Sequence, residues 1–334
     1  VDMKEGGVTV TSGSGAGSYT QIGHGGISTG AANHSGMISV RADRGATIGD
    51  ISLTGGGRDA YSMIGHGGID IAGNHGAVGE DGEILVISNA LSITGGDGRA
   101  FSQIGHGGIG SSGNHTGNIF INHDPMANAG AGADIGGGGA LTIQGGFGSN
   151  DPYALIGHGG NGTVGNFTGN ILIANSSSAT ISGGAGATTY GAVGHGGWAN
   201  GNSGGILTGN IDFKTTGLLD MNGGATSAHS RIGHGGHGFD GAKNGNITVD
   251  AGTIDADGGA SGNSYVQIGH GGTGSIEGNS SGNISVSATT GDITFNAGSG
   301  QDSHALIGHG GNVGGMINAS GNIDITTPGN FVLA

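Results

Sequence analysis

The pentapeptide Ile-Gly-His-Gly-Gly recurs eight times along the 334 residues, once with valine in place of isoleucine. Its histidines are His24, His66, His106, His158, His195, His234, His270 and His309, spaced 36 to 52 residues apart. A period near 40 means stacked supersecondary units, because a single unit of that size cannot bury its own apolar face. Composition then decides their kind. Glycine fills 86 positions and costs about 1 kcal/mol relative to alanine inside a helix, so long helices are excluded. Three prolines, with no three-residue glycine period, exclude collagen. A hydrophobic content of 33% with only 9% charge is too apolar for a disordered tail.

Two further motifs keep the same order between the histidines. One is a turn and strand, [ST]-G-N-I-x-[VIF], at Thr116 to Ile121, Thr168 to Ile173, Thr208 to Phe213, Ser281 to Val286 and Ser320 to Ile325, with Asn244 to Val249 as a variant. The other is a short alternating strand before a glycine pair, as in Ile51 to Gly56 and Leu91 to Gly96. Short alternating strands joined by tight turns predict an all-β, right-handed parallel β-helix, a β-solenoid of about eight repeats of ~40 residues. Such a coil commonly takes roughly 20 residues, so two coils per repeat are expected, with a single large coil as the alternative. The solenoid spans 1–334 as one domain that starts and ends inside a repeat. A WD-type propeller shares the period but needs a tryptophan-aspartate signature, and Trp198 is the chain's one tryptophan. The long interval carries extra sequence at 123–138, where Pro125 and several glycines predict a surface loop.

Three repeat positions carry chemistry. Alternation puts each motif histidine on the same side as its isoleucine, where a column of imidazoles would be hydrogen-bonded to backbone carbonyls. Imidazole also suits zinc, copper and nickel. One histidine per two coils stands about 10 Å from the next, too far to share an ion, so the column is expected to be structural and no metal is assigned. Five residues before each histidine stand Tyr19, Tyr61, Phe101, Tyr153, Tyr190, His229, Tyr265 and His304. Alternation places these rings opposite the isoleucine, on the outer face or at the loop-to-strand corner, where they either cover the neighbouring coil or offer a strip that stacks on sugars. Asn33, Asn114, Asn166, Asn279 and Asn318 precede the turn. Each reads N-x-[ST], a glycan acceptor pattern, but stacked turn asparagines also form ladders, and that is the expected role.

Several function classes are excluded. Eight basic against 23 acidic residues give −15, which argues against nucleic acid. Without cysteine there are no disulfides and no thiolate chemistry. No run approaches the ~20 apolar residues of a membrane helix. Acidic pairs such as Asp255 and Asp257 recur in no other repeat and lack a basic partner. No enzyme activity and no cofactor are therefore expected.

Units reading G-N-I-x-V, L-x-I-x-G-G, Y-x-x-I-G-H-G-G and N-x-S-G-N-I resemble the repeat regions of large bacterial exported proteins of the filamentous-haemagglutinin, two-partner-secretion or autotransporter adhesin type. The resemblance implies a right-handed parallel β-helix on the cell surface or in an extracellular fibre, serving adhesion, biofilm or filament formation. The expected function is a non-enzymatic extracellular stalk or filament subunit; the alternative is a carbohydrate-binding module that uses the aromatic column. Expected partners are further copies stacked head to tail, or neighbouring repeats of a longer chain, with glycans under the alternative.

Overall fold

Each repeat supplies short β-branched segments broken by glycine turns, and each segment pairs with its counterpart one repeat away. In the computed structural model, which describes residues 1–3, 6–43, 47–77, 82–127, 132–135, 138–149, 151–175, 177–199, 205–274, 278–312 and 317–334, parallel strands stack in about 8 turns of roughly 39 residues. The chain is a β-solenoid. Registers hold without slip: Ile51, Leu91, Leu141, Ala179, Leu219, Ile254 and Ile293 follow one another as direct neighbours. Shifting any strand by one residue would turn its apolar side outward, so the pattern fixes the register.

The expectation of two coils per repeat is corrected to one. Ile22 pairs with Ile64, and Ile64 with Ile104, so successive repeats lie in adjacent layers. The coil can be this wide because it encloses more than one core. Going round it, a first face carries strands such as Leu91–Thr94, and a second carries Ser102–Ile104, ending at the motif histidine. A glycine stretch makes the third, paired as a strand in the first three coils, such as Gly107–Ile109; a two-residue pair such as His115–Thr116 makes the fourth, and Ile119–Ile121 the fifth.

The main core lies between the first, second and fifth faces and holds Leu53, Ile64, Val86, Ile104, Ile121, Ile156 and their counterparts. On the first and fifth faces, buried and half-exposed residues alternate. The second face does not alternate, and Tyr153–Ile156 is buried throughout. The reason is the glycine strand, which folds back over its far side and closes a second core of Tyr61, Met63, Ile69, Phe101, Ile109, Tyr153, Leu155, Tyr190 and Ala192. A strand covered on both sides is buried at every position.

The insertion opens as a short antiparallel hairpin, His123–Asp124 against Ala133–Asp134, where a surface loop was expected over 123–138. Residues 128–131 and 136–137 of that stretch lie outside the described ones. Arg41 ties the hairpin to the first coil by pairing with Asp124 and Asp43, and His123 Nδ1 meets Asp134 at 2.7 Å.

Candidate functional site: stacked ring columns

With one coil per repeat the motif histidines stand one layer apart, not the expected 10 Å. Ring centroids along the column are separated by 4.7 to 5.2 Å with planes within 8° of parallel. Each ring after His24 is held at both nitrogens by the preceding coil. The His106 backbone N–H donates to His158 Nδ1 at 3.0 Å, and His158 Nε2 lies 2.7 Å from Gly117 O. The same pair of contacts recurs at His66, His106, His195, His234, His270 and His309.

This geometry dictates the protonation state. A backbone N–H only donates, so Nδ1 must present a lone pair; a carbonyl only accepts, so Nε2 must carry the proton. All seven rings are therefore neutral Nε2–H tautomers. Burial opposes charging: His106 and His270 are pushed down to about 3 and His195 to about 4, while His158 and His234 lie well below the usual range. Each of the seven is a two-point staple between layers that joins the histidine corner to the glycine two residues before the fifth-face strand, which opens a G-N turn in every case but Gly36 and Gly82. With both nitrogens so engaged, neither is free to ligate an ion. Among the described residues no group of three or more His, Asp or Glu is arranged to hold a metal.

The aromatic column is also stacked, with centroids 4.6 to 5.2 Å apart and planes within 10°. It lies opposite the isoleucine, as alternation requires, but the expectation of an outer face is corrected because that side is the second core. Tyr61, Phe101, Tyr153, Tyr190, His229 and Tyr265 are buried, so they present no face to a sugar. His304 is half-buried, and Tyr19, in the first coil, is 43% exposed.

The asparagines form ladders. Asn33 Oδ1 accepts the Asn74 N–H, Asn74 accepts from Asn114, Asn114 from Asn166 and Asn166 from Ile206, at 2.8 to 3.1 Å. Asn279 accepts from Asn318 in the same way. A second, parallel ladder runs through Asn118, Asn170, Asn210, Asn246, Asn283 and Asn322. Sequence reasoning had used those asparagines only as part of a turn motif.

Two further positions were missed. Gln103 Nε2 donates to Gly157 O and Gly159 O in the next coil, and its Oε1 accepts the Tyr153 hydroxyl at 3.0 Å. Gln21 makes the same set of bonds with Tyr61, while Gln267 and the fully buried Arg231 serve glycine carbonyls from the same position. The available signal was the recurrence of glutamine three residues before the motif histidine at 21, 103 and 267. The other position stacks His34, His75, His115 and Phe167 beside the main imidazole column. Later in that column Lys243 is buried, its Nζ donating to Phe239 O and lying 5.6 Å from the Phe239 ring centroid.

Away from these columns, a groove of about 550 Å³ beside the hairpin is lined by Asp134, Lys214, Asp250 and several threonines. Burial raises Asp212 nearby, and Lys214 Nζ stands 4.0 Å from it in a largely exposed pair. Exposed pairs of this kind contribute at most about 1 kcal/mol. Asp255 and Asp257 sit on the outer side of the first face, with Asp255 raised by burial and by its acidic neighbours.

No family model, no curated protein and no solved structure matches the chain. The fold and its columns thus define it by class alone, as a glycine-rich β-solenoid whose layers are stapled by imidazoles.

Proposed function

We propose that the protein is a non-catalytic structural rod, a stalk or filament element on the outside of a bacterial cell, with adhesion through an outward face as a second role. One observation carries this reading: the residue types that recur in register, histidine, asparagine, tyrosine and glycine, all act between one coil and the next. A catalytic or ligand-binding solenoid would instead hold a constellation open to solvent on one stretch. The likeness of the repeats to those of exported adhesins supports the location.

Further coils, from a longer chain or from a second copy, are the partners this reading implies. They would add at the edge where Ile323, Phe331 and Leu333 are exposed. A second copy would not add seamlessly, because Phe331–Leu333 already pairs with Ile293–Asn296 where its Val8–Thr11 would have to lie. One of those two strands would have to swing out.

The test is mechanical. Pulled from its two ends, the rod should yield in repeated events, each releasing about one coil, roughly 13 nm for ~39 residues at ~3.4 Å each. Featureless extension at low force would overturn the load-bearing role.

A further inference from the structure

We propose that the imidazole column is an acid-operated latch, in which protonation breaks the bond between each ring and the backbone of the preceding histidine corner and peels the coils starting from the layers where the rings touch solvent. The inference goes beyond the structural role and stands whether or not the rod bears load.

The latch follows from the bonding. Protonation puts a hydrogen on Nδ1, the atom that must accept the backbone N–H of the preceding histidine. Two donors then face each other, the bond to the preceding layer is lost, and a charge sits against stacked rings less than 5.3 Å away on each side. One proton therefore removes a bond that joins two layers.

The Nε2–H bond to the glycine carbonyl favours the cation, but burial outweighs it, and no acidic group among the described residues bears on the rings. The charged or titratable groups that bear on the column are the other motif histidines, the neighbouring His34, His75 and His115, and in later coils Arg231 and Lys243. All are basic, and each opposes a second positive charge.

Burial sets the order of opening. His24 is exposed, and His66 and His309 are less deeply enclosed than His106, His158 and His234. The folded-state values of His66, His309 and the more deeply buried rings between them are depressed below the ordinary 6.5. The stability they contribute is therefore fully present above that value and declines as pH falls from 6.5 towards 3 to 4. Over that window each buried ring that charges on opening multiplies the opening constant about tenfold per pH unit. Carboxylates at their ordinary values titrate mostly below about pH 5, so the range from 7 to 5 isolates the histidines.

Amide hydrogen exchange on the intact chain, corrected for the intrinsic pH dependence of exchange, tests this between pH 7 and 5. Protection around His24 to Arg41 and around His309 to Thr326 should fall first and by tenfold or more. Protection around His158 to Thr215 should follow at lower pH, and return to neutrality should restore both. Protection independent of pH, or lost first at the centre, would overturn the latch. The double variant His158→Gln, His195→Gln gives a second readout: a smaller pH slope at the centre is expected, and an unchanged slope there would also overturn it. Should that variant fail to fold, the wild-type protection profile decides alone.

Discussion

Gly194→Ala should prevent folding at ambient temperature, while Gly308→Ala, at the equivalent position in the last layer of that face, should leave a soluble, folded chain. Gly194 has φ +140°, and a Cβ there would collide with the carbonyl of Gly233 in the next coil. Backbone atoms on both sides are fixed by ladder bonds, so neither can yield. The expected cost exceeds about 4 kcal/mol, the range reserved for strain and overpacking in a core. Gly308 shares the unusual conformation, φ +153°, but the nearest atoms to its Cβ position are in the Leu306 side chain at 3.4 Å. Its substitution should cost only the backbone strain, about 1 to 3 kcal/mol. Soluble expression and circular dichroism of the two variants compare them directly, and equal behaviour would contradict the interlayer contact.

Tyr153→Ala should lower the stability by about 3–5 kcal/mol, the usual range for emptying a buried aromatic site. The ring is fully buried between Phe101 and Tyr190, at 5.0 and 4.8 Å, and its hydroxyl is the partner of Gln103 Oε1. Tyr153→Phe keeps the packing and leaves the amide oxygen short of a donor, which should cost about 1–3 kcal/mol. Denaturant midpoints for the pair separate the two contributions. Truncation of Tyr153 with no loss of stability would show that the column does not support the second core.

The repeat made the solenoid legible before any coordinates, since eight near-identical pentapeptides admit few other folds. It did not show how many layers a repeat makes. That depended on the strand Gly107–Ile109, whose two glycines resemble a turn but extend and pair in parallel with Gly67–Ile69. Glycine has no side chain by which alternation could be read, so the third face was invisible to pattern. The errors about the aromatic rings and the histidine spacing both follow from that one omission. With the third face absent, Tyr61 and Gln103 look like outward polar residues. With it present, they line a second core. The first asparagine ladder was legible because turn chemistry is local. The glutamine bridge was not, because its partners lie one layer away, as Gly157 does from Gln103.

The account rests on the motif imidazoles being neutral staples, and imidazole nitrogen resonances at neutral pH test that directly. Long-range nitrogen–proton correlation on the folded chain should show His66, His106, His158, His195, His234, His270 and His309 as Nε2–H tautomers. Their Nδ1 resonances should carry a through-bond coupling to the backbone N–H of the preceding motif histidine. Charged rings, Nδ1–H tautomers or the absence of that coupling in the central coils would contradict it.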